Sequence, residues 1–140
     1  MPGNEVFLDT SYVIALSSSG DQYHRQAERI ANQLEKSKIR MVTTQAVILE
    51  IGNALAKQRY RNAAVELINS LKADENVEIA PVSVDLCERA FELYKDRTDK
   101  EWGLTDCISF IVMQDRGLSK VLTADEHFQQ AGFQAVFLKR

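Results

Sequence analysis

Cysteine is scarce. The 140 residues hold two, Cys87 and Cys107, which make no disulfide framework, and no CxxC pair or Cys/His cluster spells a zinc site. Two prolines and six glycines leave no linker, repeat or low-complexity tract that would divide the chain. The longest mostly apolar stretches, Ala46–Ile51 and Ile108–Met113, fall far short of the ~20 residues that span a bilayer. Free thiols and the lack of a signal-peptide pattern predict a cytoplasmic protein with no membrane association. Positive charge is also short: 17 Lys+Arg against 20 Asp+Glu give a formal net charge of −3. A dedicated nucleic-acid binder normally carries a global basic field, and this chain does not.

What is present reads as an ordinary globular protein, 45% hydrophobic and 26% charged. Its length predicts a single domain, residues 1–140, with a core large enough to need no metal or disulfide staple. Short β-forming runs alternate with amphipathic ones. Strands are expected at Glu5–Leu8, Arg40–Val42, Val77–Ala80, Lys120–Leu122 and Gln134–Leu138. Helices are expected from Asp21 (as N-cap) to Lys36, from Thr43-Thr44 to about Arg59, and over Asn62–Ala73. Further helices are expected from Ser83, over Thr105–Asp115 up to Gly117, and over Asp125–Gln130. Strands separated by helices imply βαβ crossovers, so the fold class is a three-layer α/β/α domain with a central, mostly parallel sheet of about five strands. Ligands in such folds bind outside the carboxyl ends of the strands.

At those ends the sequence repeatedly places carboxylates. Asp9 follows EVFL, Asp125 follows KVLTA, Asp106 opens DCISFIVM, and Glu50 interrupts the apolar face of TTQAVILEIGNALA. Each has a plain explanation. Asp9, Asp106 and Asp125 precede helices, where an N-capping Asp is worth about 1 kcal/mol. Glu50 sits at the edge of an apolar stripe and can reach the rim or pair with a cation. Jointly the capping explanation weakens, because four acids converging at one sheet edge would repel unless a divalent ion neutralised them. Oxygen ligands without His or Cys select Mg²⁺ or Mn²⁺, and the matching chemistry is metal-assisted phosphodiester hydrolysis.

The motifs VFLDTSYVIAL, TTQAVILEIGNALA, DKEWGLTDCISFIVM and VLTADEHFQQAGF, in that order, resemble those of PIN-domain nucleases, in particular the small VapC-like toxins of prokaryotic toxin–antitoxin pairs. The resemblance runs from Val6 to Leu138. It implies a PIN fold and an Mg²⁺- or Mn²⁺-dependent endoribonuclease acting on RNA, with a small cognate antitoxin and a homodimer as partners. The family's acids fall on Asp9, Glu50, Asp106 and Asp125, and its small hydroxyl on Thr10 and Ser11. Asp9 and Asp106 would be inner metal ligands. Glu50 and Asp125 would act through water, place a second ion or orient the nucleophile, and Thr10 would hold a water or phosphate oxygen.

Secondary candidates are Thr123, two residues before Asp125, and Asp99, on the loop into the Asp106 helix. Trp102 on that loop has the ring to stack on a base, but packing is the simpler reading. Thr105 reads as a helix cap, His24 and His127 as structural, and both cysteines as buried thiols. For RNA contact, Lys57, Arg59 and Arg61 cluster around Tyr60, and Arg116 and Lys120 flank a turn. Two rival readings remain. A haloacid-dehalogenase-like phosphatase begins similarly but needs a second acid where Ser11 stands. A non-enzymatic α/β module would use the acids only as helix caps. The net acidity does not decide between them, since apart from the four site carboxylates the chain is close to neutral.

Overall fold

In a computed structural model of the chain, which describes residues 5–137, the five short β-forming runs become strands. They are β1 (Glu5–Leu8), β2 (Arg40–Thr44), β3 (Val77–Ala80), β4 (Lys120–Thr123) and β5 (Gln134–Phe137). Seven helices connect them: α1 (Thr10–Ser17), α2 (His24–Ser37), α3 (Gln45–Ala54), α4 (Gln58–Ala73), α5 (Val84–Asp96), α6 (Leu104–Arg116) and α7 (His127–Gln130). The sheet order is β3-β2-β1-β4-β5 and every pairing is parallel. From β1 the chain winds outward through β2 to β3, then returns across the sheet to β4 and winds the other way to β5. Right-handed crossovers therefore put α1–α4 over one face and α5–α7 over the other. The contacts agree, with α1 against α2 and α3 on one side and α6 against α5 and α7 on the other.

This winding makes the gap between β1 and β4 the topological switch point, where connections diverge and a crevice opens at the carboxyl edge. The register aligns Leu8 with Leu122, so Asp9 and Thr123 emerge side by side from that crevice. Beneath it lies an aromatic core. Phe110 on α6 makes edge-on contacts with Phe128 at 5.0 Å and Trp102 at 4.9 Å, and Phe128 lies 6.2 Å from Phe7 on β1. These rings fix the start of α6 and the β4–α7 turn against the end of β1. Gly117 closes α6 at φ 69°, a left-handed conformation that glycine adopts without steric cost.

Several boundaries differ from the sequence expectation. Strand β2 runs on through Thr43 and Thr44, which pair with Ile79 and Ala80. The Thr43 hydroxyl donates to the Leu8 carbonyl at 2.9 Å, while Thr44 accepts the Val47 N–H at 3.2 Å and caps α3. Asp21 does not cap α2; its carboxylate accepts the Tyr23 N–H at 2.8 Å in an Asx turn, and the helix starts at His24. The break between α3 and α4 falls at Leu55–Lys57, so Arg59 and Arg61 lie in the first turn of α4 rather than at the far end of the Glu50 helix. Leu138, expected to end the last strand, lies outside the described residues. No helix among the described residues is long and apolar enough to cross a membrane.

Truncating Phe110 removes the ring on which Trp102 and Phe128 pack. Phe110→Ala is expected to cost about 3–5 kcal/mol, read as a lower urea midpoint with an unchanged slope.

Candidate active site

Asp9 lies at the N-cap position of α1 yet makes no capping bond to it. Its carboxylate turns instead into the switch-point crevice and is buried, 5% exposed. Two hydroxyls hold one of its oxygens: Thr123 Oγ1 donates to Oδ2 at 2.7 Å and Ser11 Oγ at 2.9 Å. Each hydroxyl is oriented by a backbone amide of the β4–α7 turn. The Asp125 N–H donates to Thr123 Oγ1 at 2.9 Å, and the Ala124 N–H to Ser11 Oγ at 2.8 Å. Two short relays therefore tie the turn that carries Asp125 to the acid that ends β1, and each polarises the bond beyond it.

The second and third acids come from the opposite layer. Asp106 stands in the first turn of α6, where its Oδ2 accepts the Gly103 N–H at 3.0 Å. The N-cap is Gly103, not Thr105 as expected; having no side chain, it leaves that reciprocal bond to Asp106 alone. Asp125 accepts the His127 N–H at 3.0 Å and so folds its own turn. That turn brings His127 back over the crevice. Its Nδ1 lies 3.0 Å from Asp106 Oδ2 and 3.3 Å from Asp125 Oδ2. One donor atom from each of Asp106, Asp125 and His127 lies within 4.8 Å of the other two.

Thus Asp106 and Asp125 are gathered around His127, and Asp9, held by Ser11 and Thr123, is near enough to Asp106 to feel its charge. Thr10, the first residue of α1, buries its hydroxyl without a hydrogen-bond partner. Glu50 is half-buried on α3 and makes no hydrogen bond or ion pair among the described residues. With Gln45 and Leu49 it lines a shallow groove facing Thr105 and Ile108 on the first turns of α6, beside Asp106. Asp99 lies apart from the cluster. It is exposed and pairs through both oxygens with Arg97 at 2.9 and 3.0 Å, which holds its carboxyl down at about 2. Arg97 in turn covers the Trp102 ring, which is buried and donates to Gln130 Oε1 at 3.0 Å, so Trp102 packs rather than presenting a face to bases.

The basic candidates divide as well. Lys57, Arg59 and Arg61 remain exposed at the α3–α4 junction and, among the described residues, pair with no carboxylate. Arg59 covers the Tyr60 ring, and Arg61 donates to the Ala56 carbonyl at 2.6 Å. Arg116 is bound through both guanidinium nitrogens to Glu78 and sits about 15 Å along α6 from Asp106. His24 is structural, its Nδ1 2.9 Å from the Ala15 carbonyl. His127, expected to be structural, lies two residues after a strand-end Asp, where the Asx turn folds its ring back against Asp106 and Asp125. Cys107 is buried, which pushes its thiol up to about 11, whereas Cys87 is exposed rather than buried.

Comparison with known proteins gives the family. The profile of the PIN domain matches residues 6–134. The chain belongs to the PIN-domain family. Within it the chain is 30% identical, over 128 residues, to the 23S rRNA-specific endonuclease VapC20 of Mycobacterium tuberculosis, covering 91% of this chain and 95% of that one. The crystal structure of that VapC20, described as a sarcin–ricin loop cleaving toxin, superposes with a TM-score of 0.81 over the same shares. A VapBC2 complex from Rickettsia felis bound to promoter DNA shares the fold, with a TM-score of 0.72 at 12% identity and coverage of 96% and 99%. The parallel five-stranded PIN sheet and the VapC kinship expected from the motifs therefore hold.

Burial raises the Asp9 carboxyl from its ordinary 3.8 to about 6. The negative charge of Asp106 adds to the rise, against the Thr123 and Ser11 hydroxyls and the Thr10 amide, which favour the charged form. An unfolded Asp ionises near 3.8, so the native state binds the extra proton between about pH 4 and 6 and loses stability as pH rises through that window. Asp9→Asn is expected to be neutral near pH 4 and stabilising by about 1–3 kcal/mol near pH 8 in metal-free buffer. Thermal melts across that range check the sign.

Proposed function

We propose that the protein is a divalent-metal-dependent endoribonuclease working in the cytoplasm as the toxin of a toxin–antitoxin pair. The observation that carries this reading is Asp9: a carboxylate buried at a strand end, not used as a cap, facing Asp106 and joined by relays to the Asp125 turn. Such a group is costly to hold charged and dry unless a cation shares it. The donor set suits Mg²⁺ or Mn²⁺, since carboxylates dominate and no thiolate is present. Asp9 and Asp106 are assigned as inner ligands. Asp125 and Glu50 are assigned to water-mediated contacts that place a second ion or orient the attacking water.

When bound, the ion would make a coordinated water more acidic and offset the charge that develops on the phosphodiester. The chain supplies the positioning. Ser11 and Thr123 fix the Asp9 carboxylate, the α6 N-terminus and its dipole face the incoming phosphate, and the free Thr10 hydroxyl holds a water or phosphate oxygen. Lys57, Arg59 and Arg61 are assigned to RNA phosphates because their charge is unspent; the charge of Arg116 is spent on Glu78. The phosphatase reading loses ground at Ser11, whose proton is committed to Asp9 and which cannot do the acid/base work of a second acid. As partners, a small antitoxin and a second copy of the chain fit the VapC kinship and the VapBC assembly named for the Rickettsia felis neighbour.

The 23S rRNA named for the mycobacterial relative is the first substrate to test. Incubated with 23S rRNA or total RNA and Mn²⁺, the protein should cleave at discrete sites, and Asp106→Asn should lose at least a hundredfold in rate while Asp99→Asn retains it. Cleavage that persists in Asp106→Asn overturns the site. Thr10→Val deletes a buried hydroxyl that bonds nothing, so its stability should change by less than about 1 kcal/mol. If Thr10 holds a water or phosphate oxygen, the same variant nevertheless loses rate in the cleavage assay.

A further inference from the structure

Asp106 stands on α6 and Asp125 on the β4–α7 turn, and the side chain standing between them is His127. Its Nδ1 lies 3.0 Å from one carboxylate and 3.3 Å from the other. A single ring nitrogen carries one proton or one lone pair. It can make one good hydrogen bond or coordinate one ion, but it cannot serve two anionic oxygens well at once. Its own backbone N–H is already given to Asp125 Oδ1, so the turn holds the ring in place whatever Nδ1 does. Three donors converging within 4.8 Å, two of them anionic, describe a claw whose centre is common to all three. Donors bound side by side on one six-coordinate ion sit roughly 3 Å apart, close to the 3.0 and 3.3 Å that separate His127 Nδ1 from the two carboxylates.

We propose that His127 supplies a nitrogen ligand to the divalent ion held by Asp106 and Asp125, so that the site prefers Mn²⁺ to Mg²⁺. Resting on the metal-dependent reading, this changes the donor set from all-oxygen to mixed nitrogen and oxygen and makes Asp125 a direct rather than a water-mediated ligand. Imidazole suits transition ions, whereas Mg²⁺ keeps to oxygen and retains its waters. The other imidazole does not compete for this role, since the Nδ1 of His24 faces the Ala15 carbonyl and its Nε2 faces Glu28. The alternative role for His127 is a brace that hydrogen-bonds Asp106 from outside the ion's coordination sphere.

Affinity alone does not separate ligand from brace, because removing an outer hydrogen bond also weakens metal binding by about 10–100-fold. Spin-echo modulation of bound Mn²⁺ does, since a directly coordinated imidazole nitrogen imprints its nuclear frequencies on the metal's echo. Full-length protein loaded with Mn²⁺ alone should show ¹⁴N modulation that converts to the ¹⁵N pattern when histidine is ¹⁵N-labelled. The modulation should vanish in His127→Gln and persist in His24→Gln. Competition titrations should show His127→Gln losing about tenfold more affinity for Mn²⁺ than for Mg²⁺. If His127→Gln fails to fold, the labelled unaltered protein together with His24→Gln still decides the point. Bound Mn²⁺ without nitrogen modulation overturns the ligand role and leaves the metal-dependent nuclease intact. Failure of the unaltered protein to bind Mn²⁺ overturns both.

Discussion

A carboxylate placed where water is excluded governs this molecule. Asp9 ends the central strand, is buried, and faces a second acid. Moving a charge from water into such a place is unfavourable by several kcal/mol before any compensation. The compensation in the chain is partial. Two hydroxyls and one amide stabilise the ionised form, yet burial still lifts the pKa to about 6. The surrounding elements answer that one unsatisfied demand. Thr123 and Ser11 donate to Asp9, the amides of Ala124 and Asp125 aim those donors, and Asp125 itself folds the turn that carries His127.

The sheet topology makes the demand possible. In a doubly wound sheet every strand end is a candidate site, but only at the switch point do the two connections part and leave the edge uncovered. Here that point falls between β1 and β4, and the register sets Asp9 beside Thr123. The aromatic stack of Phe7, Phe128, Phe110 and Trp102 then locks α6 and the β4–α7 turn at a fixed distance from β1. Core packing and site geometry are therefore one problem. The rings that bury apolar area under the crevice also set how far apart its acids stand.

Much of this was legible in the chain because it depends on local signals. Strand-forming runs, helix starts and the strand-end acids are written within a few residues of one another, and the βαβ alternation implies a parallel sheet without knowledge of any contact. Three features were not legible, each for a physical reason. No glycine or proline marks the break between α3 and α4, so the helix reads as continuous to about Arg59 although it stops at Ala54. Arg116 looks like a free cation until Glu78, distant in sequence, is seen to take both its nitrogens. The contact of His127 with Asp106 is hidden in the sequence because 21 residues separate the two. Pairings across elements decide these cases, and local pattern carries no trace of them.

The capping explanation, the strongest rival to a functional one, can now be taken acid by acid. It accounts for part of Asp106, which accepts the Gly103 amide, and for part of Asp125, which closes its own turn. A cap spends only some of a carboxylate's acceptor sites, so neither bond removes either residue from the crevice. It does not account for Asp9. That acid occupies the cap position, declines the capping bond, and takes a buried orientation in which ionisation is disfavoured. A helix cap at the same position would be solvated and would lower the acid's pKa rather than raise it. An arrangement that weakens the fold as pH rises toward about 6, at a position where a solvated cap would strengthen it, is not explained by capping. The proposed cation would restore the balance, because its charge offsets that of the buried carboxylate.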